Sequence, residues 1–266
     1  MKMISPRLER HPGLRSGVLP GARDIVVYLP PGYDDDPAAR FPVLYLQDGQ
    51  NLFDPETAFR KGEYWRVGET ADRLIAAGRV APLIIAGIYN TGPSRTDEYT
   101  PTATRRHGGG KGDLYGRLVM HEVKRLIDRE YRTRPDGPST GIGGSSLGAL
   151  VALHIGLRHP EAFGRLAIHS PSVWWDRRVI LREVRRATPE PRPRIWLDMG
   201  TAERGRPQDS RKSLDDTRLL RTGLVKAGWV EGETLHYAEY PGAAHTESAW
   251  AERVGPMLEW LYPGEK

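Results

Sequence analysis

Apolar residues along the chain form short solid runs that alternate with longer segments of helical periodicity. Leu83-Ile84-Ile85-Ala86 is one such run, and it is typical of a strand buried on both faces of a parallel sheet. Seven segments have this strand character: Asp24–Leu29, Val43–Gln47, Leu83–Tyr89, Ser139–Gly143, Arg165–His169, Arg194–Met199 and Glu233–Tyr240. Six segments predict helices: Val67–Ala77, Leu114–Glu130, Ser146–Arg158, Arg177–Arg186, Ser213–Ala227 and Glu247–Leu261.

This alternation of strands and helices predicts right-handed β-α-β units. We therefore expect an α/β fold with a mostly parallel central sheet and helices on both faces. The first strands have no helix between them, which predicts an antiparallel edge near the N-terminus. No repeat or linker divides the chain, so a single domain over residues 1–266 is expected. The least regular segment, Thr91–Gly112, is long for a loop of a compact domain, and we expect it to form one rim of a functional site.

Composition narrows the possible chemistry. The 266 residues include no cysteine, which excludes disulfides, thiolate metal sites and a cysteine nucleophile. A hydrophobic fraction of 38% with 27% charged residues is typical of a globular protein. The longest apolar stretch, around residues 82–88, is too short to span a bilayer, and no apolar leader follows Met1. We expect a cytoplasmic protein with no membrane partner.

Basic residues give little support for a nucleic-acid partner. The net charge of +5 is modest. Four arginines share one face of a predicted helix, where they could grip an anion but more often form a solvated surface: Arg178, Arg182, Arg185 and Arg186. No nucleic-acid recognition motif occurs, and near matches to phosphate, zinc and dinucleotide motifs each lack a required residue. We expect no nucleic acid, metal or cofactor.

One pentapeptide points to nucleophilic catalysis. Gly144-Ser145-Ser146-Leu147-Gly148 matches the G-x-S-x-G pattern between a predicted strand and a predicted helix, which is the setting of a nucleophile elbow. Ser145 has no glycine two positions later, so Ser146 is the predicted nucleophile. The alternative is a glycine-rich turn with a serine that caps the helix.

A serine hydroxyl needs a base, and histidine titrates in the useful range. Of eight histidines, His245 follows the last predicted strand and opens the final helix, so it would lie at the carboxyl ends of the strands. The alternative is a surface histidine at a helix start. The acid of a triad should follow a strand between serine and histidine. Glu203 fits this position best; Asp198, Asp209 or a serine–histidine dyad are the alternatives.

Acyl transfer also needs two N–H donors for the oxyanion. The backbone N–H of Leu147, directly after the nucleophile, should be one. The turn after Val43–Gln47 should supply the other, and we predict the N–H of Gln50 as this donor. The alternative is an ordinary turn with no catalytic role.

Three aromatic residues follow predicted strands near these positions. Trp174 and Trp175 should flank the mouth of the site, where they would either bind substrate or pack in the core. Phe53 has the same two alternatives.

Together these stretches resemble the Putative esterase family of α/β-hydrolases, which includes enterochelin esterases, esterase D-type enzymes and feruloyl or acetylxylan esterases. The matching segments lie between about residues 20 and 262: Tyr45–Phe53, Gly110–Asp113, Tyr131–Thr133, Gly141–Gly148, Ser170–Trp175, Gly200–Glu203 and Gly242–His245. The resemblance implies an α/β-hydrolase fold, with Ser146 as nucleophile, Glu203 as acid, His245 as base and the Gln50 N–H as oxyanion donor.

The residues and the resemblance together predict a serine carboxylic-ester hydrolase with an acyl-enzyme intermediate. Its partner would be a small-molecule ester, short-chain or carbohydrate-linked. An acyltransferase or a siderophore trilactone esterase on the same fold are alternatives, and a non-catalytic binding protein is an alternative of another class. The sequence does not indicate an oligomeric state.

Overall fold

The computed structural model describes residues 7–187 and 190–264, and an eight-stranded sheet lies at its centre. The strands follow the chain as β1 Arg7–Arg15, β2 Ala22–Leu29, β3 Val43–Gln47, β4 Ile84–Ile88, β5 Ala103–Thr104, β6 Gly108–Gly109, β7 Thr140–Ser145, β8 Arg165–His169, β9 Arg194–Gly200 and β10 Leu235–Tyr240. The sheet order is β1-β2-β4-β3-β7-β8-β9-β10, and β5 and β6 form a separate ribbon. β1, β2 and β4 pair antiparallel, whereas every pair from β4 to β10 is parallel. The predicted parallel sheet with an antiparallel N-terminal edge is present.

Helices cover both faces of this sheet. They are α1 Val67–Ala76, α2 Arg95–Glu98, α3 Gly112–Leu118, α4 Lys124–Glu130, α5 Leu147–Arg158, α6 Trp175–Arg186, α7 Pro207–Lys226 and α8 Glu247–Leu261. A π-helical turn, Val119–Val123, joins α3 to α4. α1 and α8 bury their apolar residues on one face of the sheet, and α3 to α7 bury theirs on the other. None of the helices in the described ranges has an apolar stretch long enough to cross a bilayer.

Strand residues alternate between two hydrophobic cores. In β2, Ile25 and Val27 belong to the core under α5, whereas Val26 and Tyr28 belong to the core under α1 and α8. This alternation follows from the two-residue period of a strand, and it explains why the strands are apolar at nearly every position.

The carboxyl ends of the parallel strands meet at one edge of the sheet. The segments that follow β3, β7, β8, β9 and β10 therefore emerge close to each other. Each of these segments carries a residue of the candidate site: Gln50, Ser146, Ser170, Glu203 and His245.

The predicted helix Leu114–Glu130 is divided into α3, the π-helical turn and α4. β1 and the start of α7 also differ from the sequence prediction. β1 was not predicted as a strand, because it is an edge strand with charged, half-exposed residues and an irregularity between His11 and Leu14. α7 begins at Pro207, six residues before the predicted Ser213, because its first turns are polar and carry no apolar period.

The segment Thr91–Gly112 is also more regular than predicted. It contains a 3₁₀ turn, α2 and the β5–β6 ribbon. Asp97 holds it together by accepting hydrogen bonds from the Gly109 N–H at 2.9 Å and from Lys111 Nζ at 2.8 Å.

Candidate functional site

Ser146 lies at the sharp turn between β7 and α5. Its φ of 57° and ψ of −121° are a strained conformation for a residue with a side chain. The turn is held by the Ser146 N–H, which donates to the His169 carbonyl at 3.1 Å, and by the Ser146 carbonyl, which accepts from Leu150 at 3.1 Å. The backbone is that of the predicted nucleophile elbow.

The two glycines of the motif make room for this turn. A Cβ on Gly144 would lie 3.0 Å from both Gln47 Cβ and the carbonyl carbon of Gly148. A Cβ on Gly148 would also lie 3.0 Å from Gln47 Cβ. Because β7 and α5 approach β3 this closely, larger residues at either position would push the elbow out of place.

His245 and Glu203 are joined by a hydrogen bond. His245 precedes α8, Glu203 follows β9, and the Nδ1–H of the histidine donates to Glu203 Oε2. The His245 Nε2 makes no hydrogen bond with the described residues, so it is the ring nitrogen that could accept a proton. The structure therefore brings together the predicted base and the predicted acid.

The carboxylate of Glu203 is buried and fully hydrogen-bonded. Its second oxygen, Oε1, accepts from Ser170 Oγ at 2.6 Å and from the Gly200 N–H at 2.7 Å. Burial alone would raise the pKa of Glu203, but the hydrogen bonds from His245, Ser170 and Gly200 and the charge of His245 outweigh it and lower that pKa. Glu203 is thus an anion at neutral pH, although it is buried.

The rival acids are engaged elsewhere. Asp198 is fully buried and accepts from His169 Nδ1 at 2.6 Å and from Arg253 Nη1 at 2.9 Å. Asp209 lies in the first turn of α7 and pairs with Arg206 at 2.7 Å. Neither carboxylate is hydrogen-bonded to His245, so the structure favours Glu203 among the three candidates.

Gly200 lets the segments that carry Glu203 and His245 approach each other. A Cβ there would lie 2.3 Å from the Ala243 carbonyl oxygen and 2.6 Å from Glu203 Oε1. The Ala202 N–H also donates to the Ala243 carbonyl at 3.0 Å. The two segments are thus held together by backbone contacts that need a glycine at the end of β9.

Both predicted oxyanion donors are free. The N–H groups of Gln50 and Leu147 donate to no acceptor within residues 7–187 and 190–264. Leu147 is the first residue of α5, and Gln50 lies in the 3₁₀ turn Gly49–Asn51, where the first N–H groups of a helix have no partner of their own. Both are therefore available to a ligand.

A cavity of about 270 Å³ connects several of these residues. Ser146, His245 and Gln50 line it, together with the charged side chains of Arg60, Arg95 and Glu247. Ser146 Oγ lies 3.3 Å from Ser172 Oγ and is not hydrogen-bonded to His245. The structure thus places the predicted nucleophile and the predicted base in one cavity without joining them directly.

The three predicted aromatic residues have different positions. Trp174 is 38% exposed and lines a small cleft beside His245. Trp175 is only 1% exposed, and its indole N–H donates to the Thr102 carbonyl at 3.0 Å. Phe53 is buried against Tyr28. The core alternative therefore holds for Trp175 and Phe53, and only Trp174 remains a candidate for substrate contact.

Several residues of the site were not predicted. Phe59 is 82% exposed at the edge of the cavity, and Trp250 packs edge-to-face on His245 with ring centroids 4.8 Å apart. Ser170 donates to Glu203 Oε1, and Arg253 Nη2 lies 3.6 Å from the same oxygen. Ser170 lies within the segment that resembles the esterases, but no motif marks Phe59, Trp250 or Arg253, because their contacts join distant parts of the chain.

Comparison with known proteins identifies the family. The model of the family described as "Putative esterase" matches residues 16–261. The chain belongs to this family. It is accordingly an enzyme that acts on esters, as the sequence predicted.

Individual proteins are similar to this chain. The protein YbbA of Bacillus subtilis is 28% identical over 91% of this chain and 93% of its own length. The ferri-bacillibactin esterase BesA of the same organism is 30% identical over 55% of this chain and 53% of its own length. The solved structure of the siderophore hydrolase EstA from Aspergillus nidulans superposes with a TM-score of 0.77 and 20% identity, covering 96% of this chain and 93% of that one. This likeness confirms the predicted α/β-hydrolase fold.

Proposed function

We propose that this esterase-family enzyme is a serine carboxylic-ester hydrolase that forms an acyl-enzyme on Ser146. The observation that carries the proposal is the hydrogen bond from His245 Nδ1 to the buried Glu203, beside a cavity that Ser146 lines. That bond keeps a proton on Nδ1 and a lone pair on Nε2, which is the tautomer a general base needs.

In the proposed reaction, His245 Nε2 takes the hydroxyl proton of Ser146 while the Ser146 oxygen adds to the ester carbonyl carbon. The Leu147 and Gln50 N–H groups donate to the carbonyl oxygen as it becomes an oxyanion. The imidazolium, stabilised by Glu203, then protonates the alcohol oxygen as the carbon–oxygen bond breaks. Water adds to the acyl-enzyme with His245 again as base, which releases the acid and restores Ser146.

The resting position of Ser146 is compatible with this scheme. Its hydroxyl contacts Ser172 at 3.3 Å, and rotation about the Cα–Cβ bond gives it other staggered positions in the cavity that His245 also lines. Contacts between nucleophile and base are often long without substrate and shorten in the reacting complex.

We propose small esters as substrates, with a short acyl chain or a carbohydrate alcohol. A cavity of about 270 Å³ is at the small end of ligand pockets. Its lining is rich in charge, with Arg60, Arg95 and Glu247, and would suit a hydroxyl-rich alcohol better than a long acyl chain. A siderophore ester is the second candidate, because BesA and EstA carry such names.

The Ser146→Ala variant tests the reaction. We expect kcat for 4-nitrophenyl acetate to fall on the order of 10⁴–10⁶-fold without loss of folding. A fluorophosphonate should label the wild-type protein and leave the variant unlabelled. Ser139→Ala, in the 3₁₀ turn directly before β7, is the matched control and should keep full activity. Near-normal turnover by Ser146→Ala would rule out this nucleophile, and absence of labelling would favour a non-catalytic binding protein.

A substrate panel then separates the candidates. It should contain acetyl, feruloyl and trilactone esters, each measured against Ser146→Ala. Preference for the trilactone would support a siderophore esterase over the small-ester proposal. Ester products formed with added glycerol would instead indicate an acyltransferase.

A further inference from the structure

Two charged residues of α2 connect the segment before β5 to the rest of the molecule. Glu98 is buried and accepts hydrogen bonds from Arg23 of β2 at 2.9 and 3.2 Å. Arg95, three residues earlier, donates from Nε and Nη2 to the carboxylate of Asp48 at 2.8 and 2.7 Å. Because α2 is fixed through Glu98, the guanidinium of Arg95 is held in place against Asp48.

Asp48 sets the direction of the turn that carries Gln50. Its φ of 57° and ψ of 47° are left-handed, which is uncommon for a residue other than glycine. The side chain also accepts from Asn90 Nδ2 at 2.7 Å, and the backbone N–H donates to Tyr99 Oη at 3.3 Å. The Arg95 pair is the strongest of these restraints, since it is bidentate, charged and mostly buried.

The turn cannot relax toward the sheet. A Cβ on Gly49 would lie 2.5 Å from the carbonyl carbon of Gly87 in β4, so the two backbones are already in close contact. Loss of the Asp48 restraint would therefore let the turn move outward, toward the cavity. The N–H of Gln50, one residue further along, would move with it.

We propose that Arg95 is a positioning residue for the oxyanion hole and acts through Asp48 on the Gln50 N–H. This inference rests on the proposed serine esterase mechanism. An oxyanion donor contributes only when it lies at hydrogen-bond distance from the charge that develops in the transition state. Arg95 lies in α2, outside the parallel strands, and through Asp48 it keeps the Gln50 N–H at that distance.

The positive charge of Arg95, as well as its position, should favour the reaction. Asp48 and Arg95 both line the cavity of Ser146. With Arg95 present, the Asp48 carboxylate is neutralised by its partner. Without Arg95, an unpaired carboxylate would face the cavity in which the oxyanion forms, and its charge would oppose the reaction.

The experiment compares Arg95→Met, Arg95→Lys and the double variant Asp48→Asn/Arg95→Met. Each is measured for kcat and KM with 4-nitrophenyl acetate and for the inhibition constant of a trifluoromethyl ketone, which forms a tetrahedral adduct with a serine. For Arg95→Met we expect kcat and inhibitor affinity to fall together, by about 10²-fold, with KM within about 3-fold. Arg95→Lys should lose about 10-fold, because it keeps the charge but not the bidentate geometry.

The double variant should lose less than Arg95→Met, since it removes the unpaired charge. Arg218→Met is the control, because Arg218 makes an equally bidentate pair with Glu239 on the surface, at 2.8 Å for both bonds, and should keep full activity. Circular dichroism checks folding, and Arg95→Lys decides the question if Arg95→Met does not fold.

A raised KM with unchanged kcat would overturn the proposal and make Arg95 a substrate contact. Unchanged kcat and inhibitor affinity in Arg95→Lys and Arg95→Met would overturn it as well. Activity that survives in Ser146→Ala would show separately that the proposed serine esterase mechanism is wrong.

Discussion

Ser170 Oγ donates a 2.6 Å hydrogen bond to Glu203 Oε1, the carboxylate oxygen that does not face His245. The same hydroxyl accepts from Trp250 Nε1 at 3.1 Å and from Arg253 Nη1 at 3.0 Å. A serine hydroxyl has one donor and two acceptor sites, so all three are used. Ser170 therefore fixes the orientation of the Glu203 carboxylate that accepts from His245.

Replacing Ser170 by alanine should weaken this orientation. We expect kcat to fall about 10-fold, because one hydrogen bond to a charged group is lost while the contact of Glu203 with His245 remains. Ser170 has a φ of 44°, so Ser170→Gly would relieve the backbone and still lack the hydroxyl. Steady-state kinetics should show a similar loss for both variants. Full activity in Ser170→Gly alone would mean that the backbone, and not the hydroxyl, matters.

Glu203 and Asp198 are both buried acids, and their amide variants should behave differently. In Glu203→Gln we expect kcat to fall on the order of 10²–10⁴-fold with the fold retained, because the histidine loses its anionic partner. Asp198→Asn should keep most of its activity per folded molecule but lose roughly 3–5 kcal/mol of stability, since the buried Arg253 loses the carboxylate to which it is hydrogen-bonded. Kinetics and urea unfolding on both variants measure the difference. An inactive but stable Asp198→Asn protein would reverse the assignment of the acid.

Much of this site follows from local sequence, and the rest depends on contacts between distant segments. β3 has the predicted bounds because a solid apolar run ends at polar residues, and Ser146 lies where the flanking glycines leave room for a sharp turn. Ser170 and Arg95 carry no such pattern. Their partners lie 33 and 47 residues away, and only the sheet order brings them together.

The same principle explains why the sequence leaves two alternatives open for Trp175 and Phe53 and does not reveal β1. Trp175 and Phe53 follow strands, as a rim residue would, but large aromatic side chains at strand ends also fill the core, and the sequence does not distinguish the two positions. β1 is an edge strand with one exposed side, so it lacks the apolar alternation that reveals internal strands.

The pKa shifts of Glu203 and Glu247 predict opposite effects on stability. The hydrogen bonds of Glu203 lower its pKa despite burial. Its contribution to the free energy of unfolding is therefore complete above the ordinary pKa of 4.5 and is lost as pH falls through the folded-state pKa. Burial raises the pKa of Glu247, so its contribution is complete below 4.5 and is lost as pH rises through the folded-state pKa.

Glu203→Gln should therefore destabilise the protein more at pH 7 than at pH 3. Glu247→Gln should change the free energy of unfolding in a more stabilising direction at pH 7 than at pH 3. Urea unfolding of the wild type and of both variants between pH 3 and pH 7 measures these trends. A pH dependence of the same sign in the two variants would contradict the opposite pKa shifts.

Gly200→Ala should disturb the site through the backbone. The new Cβ would meet the Ala243 carbonyl, so the segments carrying Glu203 and His245 would have to separate. We expect a loss of kcat of at least about 10-fold together with lower stability, by roughly 1–3 kcal/mol, as for other overpacked sites. Gly223→Ala in α7 is the matched control, because its Cβ would lie 3.6 Å from Val184 Cγ1, an ordinary contact. That variant should gain up to about 1 kcal/mol from helix propensity and keep its activity.

Trp174 and Trp175 are neighbours whose alanine variants should separate binding from folding. Trp175→Ala removes a buried ring and a hydrogen bond to Thr102, so we expect a loss of about 3–5 kcal/mol in unfolding free energy. Trp174→Ala removes an exposed ring beside His245, so stability should change by less than about 1 kcal/mol while KM for aryl esters rises several-fold. Urea unfolding and kinetics with feruloyl and acetyl esters test both expectations. If Trp174→Ala leaves KM unchanged for every ester, its ring does not contact substrate, and the cavity on the Gln50 side of His245 would then hold the whole ligand.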